Sequence, residues 1–397
     1  SAGLSKNLTR PSWRWRWKVA LVERGLKMST PSIEAYRSLP VPSRSVHAWR
    51  YTPWKKVHPT GNPDVIPTDV IAASVSLSML DGTDVPAGIS LKMIDSQYPD
   101  SPLPDDDIAA AFLRGICKEH WHLKVESKTV LESPLLVEIR AGGHMAAIEM
   151  SVEIGAHSEV ESVWTISGEA SWFGFLRQGS IAVGTEYTEV MEQALSSSTV
   201  LLRGEGWDID RDALMSSGLL SLGGSLLRSD LRSRIVQGSM IRQLIASHGI
   251  GDRSDDHHLE IDHVFGNNVS RVVLHSACDD SSRGVSTGQL RIAKGADGSS
   301  ASQIFRNLLL SPDARAESIP ELEVLADDVS AAHGAASAPI DSEQLFYLES
   351  RGLDPEAAQH LVVEGFLIDA MKELGSAKLI DWLRGRLTIH LDCALLE

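Results

Sequence analysis

Ala147-Ile148-Glu149-Met150-Ser151-Val152-Glu153-Ile154 alternates apolar and polar side chains, the period of a half-buried β-strand. Comparable short runs lie on both sides: Leu123–Glu126, Leu135–Arg140, Val160–Ile166, Thr199–Arg203, Leu219–Leu222 and Val269–His275. Gly and Ser clusters interrupt them at Gly142-Gly143, Gly204–Gly206, Gly223-Gly224, Gly266–Asn268 and Gly295–Ser300. Short strands divided by Gly turns predict a mainly β domain over residues 123–320. A sandwich, a barrel and a β-helix all satisfy this pattern, and no clear repeat chooses among them.

The flanks read differently. Residues 1–122 open with a helical stretch, Trp13–Met28, then turn Pro-rich at Pro40, Pro42, Pro53, Pro59, Pro63 and Pro67. Proline at that density excludes long helices. A second helix is expected over Asp106–His120, with Asp105–Asp107 at the positive end of its dipole. Residues 321–397 read as helical. Asp341 is an N-cap with Gln344 completing a box-like pattern. Gly352 stops that helix, and Asp354-Pro355 opens the next. A final helix is expected over Leu379–Leu391, split or bent near Gly385.

Length and composition bound the function. A chain of 397 residues can hold two or three domains, and 43% hydrophobic with 23% charged residues fits a folded globular protein. The net charge of −16 argues against a broad nucleic-acid footprint. The one strongly basic stretch, Arg10–Lys18, interleaves Trp13, Trp15 and Trp17 and reads as an amphipathic helix packed on the body. Cys117, Cys278 and Cys393 are too scattered for a disulfide framework or zinc knuckle. No run approaches a membrane span and no signal-peptide core is read, so the expected compartment is a reducing cytoplasm, with neither nucleic acid nor membrane as partner.

The C-terminal part carries a family resemblance. Pro320–Ala335, including Ala331-Ala332-His333-Gly334, and then Leu345–Leu353 resemble the C-terminal signature of the SufB/SufD family, on its SufD branch. Asn307–Ser311 agrees, as do Leu39–Pro42, Trp49–Pro53, His275 and Ser282–Gly284. The dense match covers about residues 303–370. The resemblance implies a right-handed parallel β-helix flanked by N- and C-terminal helical domains, bounded here at 1–122, 123–320 and 321–397. It implies a scaffold for iron–sulfur cluster assembly, with no enzymatic activity of its own. Its partners would be a SufB-like subunit, or a second copy, through the β-helix, and the ATPase SufC through the C-terminal helices. The cofactor would be a nascent iron–sulfur cluster shared transiently with the partner; a flavin requirement is not legible in the sequence.

The same resemblance assigns roles. His333 is the expected cluster-assembly residue, a reasonable iron ligand beside Gly334, which is expected to permit a tight turn. His275 is placed with it at the assembly interface. The SufB branch carries a cysteine near the position of Phe305 and a glutamate at that of Gly334; both departures favour SufD and assign the sulfur ligands to a partner. Phe346, Tyr347, Arg351 and Gly352 are the expected SufC-binding residues, since aromatic and Arg side chains anchor interfaces.

Other patterns carry less. On a strand His258, Glu260 and Asp262 would share one face as a metal ladder, or simply as a solvated acidic face, with His257, Leu259, Ile261 and His263 on the other. Cys117 and Cys278 read as buried small hydrophobes. No P-loop is present, and Gly284-Val285-Ser286-Thr287-Gly288 lacks the strand–turn–helix setting of a nucleophile elbow and reads as a β-turn. The alternatives to the scaffold with two partners are a homodimeric scaffold acting with SufC alone, and a carbohydrate-active enzyme on a β-helix.

Overall fold

The structure, a computed structural model, describes residues 33–95, 103–104 and 107–394; the expected helix over Trp13–Met28 lies outside them. Three short α-helices lie in the N-terminal part: α1 (Ile33–Ser38) and α2 (Trp54–Val57) before the first strand, and α3 (Ile108–Ile116) between the third and fourth strands. Asp107 caps α3, its carboxylate accepting the Ala110 N–H at 2.8 Å. The helix ends at Ile116, short of the expected His120, because His120 already belongs to a strand.

The strands form a long series. The first five are β1 (Ile71–Ala72), β2 (Ser74–Met79), β3 (Ile89–Met93), β4 (His120–Val125) and β5 (Leu135–Ala141). Next come β6 (Met145–Ile154), β7 (Glu159–Gly168), β8 (Trp172–Ile181), β9 (Glu186–Leu195), β10 (Val200–Ile209), β11 (Leu214–Ser221) and β12 (Leu226–Ile235). The series closes with β13 (Met240–Gly249), β14 (Ser254–His263), β15 (Val269–Cys278), β16 (Arg283–Ile292), β17 (Ser300–Leu309), β18 (Arg315–Val324) and β19 (Ser330–Pro339). From β4 onward each strand pairs in parallel with the strand two places ahead. Even strands make one sheet, ending at β18; odd strands make the other, ending at β19. The chain is therefore a parallel β-solenoid of about eight coils. At its start β2 and β3 run antiparallel to β5 and β4 and close both sheets. At its far end β18 and β19 are the last strands of their sheets among the described residues.

One corner of the coil shows why the register repeats. His157, Gly184, Asp212, Gly238, Asn267 and Gly298 all hold positive φ, between 57° and 77°. A Cβ on Gly184 would lie 2.7 Å from the His157 ring; on Gly238, 2.3 Å from Asp212 Oδ1; on Gly298, 2.4 Å from Asn267 Oδ1. Each side chain thus fills the space its glycine successor leaves open, so the two residue kinds alternate coil by coil.

Alternate residues of each strand point into the lumen, where Ile148, Phe175, Leu201, Ile235, Leu259 and Leu274 belong to one continuous core. Charge is buried there too. Arg177 donates to Glu189 at 2.8 and 2.7 Å and to Glu205 at 2.7 Å, with its guanidinium 4.7 Å from the Trp164 ring and 4.9 Å from the Trp207 ring. Arg203 donates to Glu205 at 2.7 Å. Two cations thus balance two anions, all fully buried.

Both sheets carry helices on their outer faces. Trp54, Phe112 and Leu113 pack with Trp172 and Leu202 on the even sheet. On the odd sheet lie α5 (Pro355–Asp369) and α6 (Ala377–Ala394), preceded by α4 (Ser342–Ser350). Val363, Leu367, Leu383 and Leu387 there meet Val190, Leu244 and Val273. Asp341 and Asp354 cap α4 and α5, Pro355 opens α5, and Gly352 at φ 99° follows α4. The helices begin at Ser342, beyond the expected boundary at 321, because Glu/Ala-rich 321–339 completes β18 and β19 on ready-made ladders. The final helix runs unbroken through Gly385. No described helix is long and apolar enough to cross a membrane.

Removing one carboxylate from the lumen leaves a buried guanidinium uncompensated. Glu205→Leu should therefore cost about 3–5 kcal/mol, read as a shift of the urea unfolding midpoint. A variant as stable as the parent would show that the cluster holds nothing together.

Candidate functional site

The open end of the solenoid is built by β17, β18 and β19. Ala301, Gln303 and Phe305 of β17 point into the lumen and are buried. Their ladder partners on β19 are Ala331, His333 and Ala335. His333 therefore faces the lumen on the last coil, and it is exposed. Beneath it Gln303 donates to the Glu321 carbonyl at 2.7 Å. Asn307 donates to Ser318 Oγ at 2.9 Å and Ser337 Oγ at 2.8 Å, clasping the two end strands together. Gly334 makes no turn: it sits mid-strand opposite Ile304, outside the positive-φ set, and nothing lies within 4 Å of where its Cβ would be. Phe305 fills the lumen one coil inside.

His275 is not brought beside His333. Its strand β15 lies two places inside β19, and its ladder runs through Arg306 to Ala336, which points outward where His333 points inward. The ring is buried against α5, its Nδ1–H donating to the Phe366 carbonyl at 2.7 Å and its face stacked on Phe366 at 4.7 Å. Burial lowers its pKa, which keeps this anchor neutral. His275 ties the helices to the solenoid and leaves no face for an assembly interface.

A second histidine contact escaped the sequence reading. His248 of β13 meets His390 of α6, Nδ1 to Nε2, at 3.1 Å. Burial pushes their pKa values down to about 3 and about 4. Arg253 and His360 lie near the pair and push in the same direction. Partners 142 positions apart leave no local spacing to detect.

His258, Glu260 and Asp262 share an outward face as the strand alternation requires. His258 Nε2 lies 2.8 Å from Glu260 Oε1, and its Nδ1 lies 2.7 Å from Thr287 Oγ1. Arg232 holds Glu260 at 3.2 Å, and Arg291 reaches Asp262 at 4.0 Å. The carboxylates are engaged by guanidinium groups, and no three His, Cys, Asp or Glu side chains converge to hold a metal among the described residues. On the other face His257, Leu259, Ile261 and His263 are buried in the lumen.

Helix α4 buries none of its residues. Phe346 is 73% exposed and Tyr347 55%, and the Arg351 guanidinium stacks 5.1 Å over the Tyr347 ring. Burial raises the pKa of both Cys117 and Cys278, so neither is a poised thiolate. Ser286 is buried mid-strand in β16, which corrects the expected turn. Gly288 is there because a Cβ would lie 2.6 Å from Gln303 Oε1 and 2.9 Å from Phe305.

Comparison with known proteins agrees with this architecture. The family model described as "SUF system FeS cluster assembly, SufBD core domain" matches residues 137–366. An iron–sulfur cluster assembly SufBD family protein of Mycobacterium tuberculosis is 25% identical over 372 residues, covering 89% of each chain. The iron–sulfur cluster assembly protein SufD of Escherichia coli is 30% identical over 168 residues, 41% of this chain and 40% of its own. SufD of Bacillus subtilis is 35% identical over 126 residues, 32% and 29% of the two chains.

The histidine pair has a pH consequence. Unfolded histidine takes its proton near pH ~6.5, whereas the folded pair resists protonation down to about 4 and about 3. Their contribution is intact above the unfolded value and is lost as pH falls from there toward 4. Hydrogen exchange should show α6 losing protection over that window before the solenoid strands do, and His390→Gln should flatten the effect. Equal loss in helix and strands would count against the pair as the weak point.

Proposed function

This chain belongs to the SufBD family of the SUF iron–sulfur cluster assembly system, and from that membership we propose that it is the SufD-like scaffold subunit, working beside a SufB-like chain and the ATPase SufC. The observation that carries the proposal is the open coil. One imidazole, His333, faces the lumen there and is exposed, and 300–339 contains no cysteine.

An imidazole is a sound iron donor, but a single one cannot hold a cluster. The missing sulfur ligands fall to the partner that covers this end. The nascent cluster is then cargo shared across the junction and passed on, not a resident group. Among the described residues no strand lies beyond β18 and β19, and their outer edges supply the docking surface, since a free strand edge is a template for another chain. The exposed aromatics of α4 supply the SufC contact: Phe346 and Tyr347 offer a large apolar face, and Arg351 stacked on Tyr347 is pre-ordered for it. The ATPase activity belongs to that partner. All three cysteines are free, which suits a reducing cytoplasm.

The decisive experiment is co-expression with the SufB and SufC homologues of the same genome. The complex should purify with iron and acid-labile sulfide. His333→Ala should reduce both several-fold and leave the complex intact, because the side chain is exposed and supports no packing. Phe346→Ala with Tyr347→Ala should remove the SufC homologue and spare the SufB-like contact. Iron and sulfide unchanged by His333→Ala would remove that residue from the assembly site.

A further inference from the structure

Between α1 and α2 the chain makes a single 3-10 turn, His47–Trp49, and crosses the outer face of the even sheet. Its root is firm. Trp49 and Trp54 are both buried and meet edge to face at 5.3 Å, and Trp54 Nε1 donates to the Tyr36 hydroxyl at 3.1 Å. From that root the segment touches one even strand after another. The Trp49 ring lies 5.0 Å from the Arg228 guanidinium of β12, and the His47 ring meets that of His258 on β14 edge-on at 6.5 Å. The Tyr51 ring lies 5.8 Å from the Arg283 guanidinium of β16. His47 Nδ1 lies 3.4 Å from Glu321 Oε2 on β18, the last strand of the sheet.

The outward carboxylates of β18 show what the crossing does. Asp208, Arg234, Asp262, Arg291 and Glu323 are ladder partners of alternating sign from β10 to β18, so Glu323 is answered within the sheet, by Arg291 at 3.1 Å. Glu321 and Glu317 are not placed that way: their ladder partners are Gln289 and Val285. Glu321 is met by His47 of the crossing segment. Glu317 accepts from Arg283 at 2.8 to 3.2 Å, and Arg283 is the cation that the Tyr51 ring covers.

We propose that residues 46–53 form a strap that holds β18 to the body, and that His47 and Tyr51 are thereby positioning residues for His333. The path is short and contiguous. His47 meets the Glu321 side chain, the Glu321 carbonyl accepts from Gln303 Nε2 at 2.7 Å, and Gln303 is the ladder partner of His333. A β18 released from the strap loosens the amide beneath the imidazole. The strap stands on its own contacts, whereas the positioning role rests on the scaffold reading of His333.

Hydrogen exchange of the chain alone tests the strap, and iron and sulfide in the co-expressed complex test what it positions. His47→Ala with Tyr51→Ala should speed exchange along β18 and β19 by about two- to fivefold, the worth of one such cation–π contact. Strands β6 to β10 should exchange as in the parent, which shows that the variant is folded. Tyr51→Phe keeps the ring over Arg283 and should behave as the parent does. In the complex the double variant should lower iron and sulfide, and adding it to His333→Ala should lower them no further. Exchange in β18 that ignores the double variant overturns the strap and leaves the scaffold reading standing. Faster exchange with parental iron and sulfide overturns the positioning role. Iron and sulfide unmoved by His333→Ala itself overturn that role together with the reading it rests on.

Discussion

Everything in this molecule hangs on the in-register parallel ladder between coils. Each coil gives its N–H and C=O groups to the next, so along the strands stability accumulates by nearest-neighbour contact. A stack of this kind has two ends that cannot satisfy themselves. Antiparallel β2 and β3 close the first. The other ends on β18 and β19, two ten-residue strands side by side. An edge of that length is an aggregation hazard unless something covers it. Asn307 binds both Ser318 and Ser337, so one side chain of the preceding coil ties the two end strands together.

The same ladder explains how charge survives in the lumen. Flat stacked strands bring Arg177, Glu189, Arg203 and Glu205 to one level of the interior, where each charge finds an opposite one. Arg177 is sandwiched by two indole rings as well. Bringing four charges out of water is costly, and the gain is geometric: only one coil register lets Arg177 reach both carboxylates. Slippage by one residue would turn every lumen side chain outward.

Much of this was legible in the sequence. The alternation around Met150 named a strand, though β6 is buried on both faces and not on one, Glu149 and Ser151 included, and the caps at Asp341 and Asp354 located two helix starts. The coil repeat was harder to see because it is conformational and not chemical. His157, Asp212 and Asn267 share a positive φ with Gly184, Gly238 and Gly298, but as letters they share nothing. Segment 321–339 looks helical by composition, yet a waiting ladder outweighs propensity. His275 reads from the sequence as an assembly-interface residue, but the contact it makes is structural: its partner, the Phe366 carbonyl, lies 91 residues on. Contacts of that range leave no trace in local spacing. The alternating signs of Asp208, Arg234, Asp262, Arg291 and Glu323 were visible as letters, but only the register shows that they form one line.

The C-terminal helices are fastened to the odd sheet at several depths. Arg386 grips Glu192 of β9 at 2.8 Å, His390 meets His248 of β13, and Glu373 holds Arg271 of β15 at 2.9 and 3.0 Å. His275 adds its bond to Phe366 on β15. With Arg306 of β17 at 3.5 Å from Asp369 of α5, these ties span β9 to β17 and stop short of β19. Helix α4, in contrast, follows β19 directly through Ile340 and Asp341 and packs nothing into the core. A load applied to α4 therefore reaches the open edge by the covalent chain, against a body that α5 and α6 hold still. Because the edge is joined to the preceding coil by one ladder, it is the part of the solenoid with the least to resist that load. The exposed aromatic face and the exposed imidazole thus sit on the same short stretch of chain, the one on α4 and the other on the strand that leads into it.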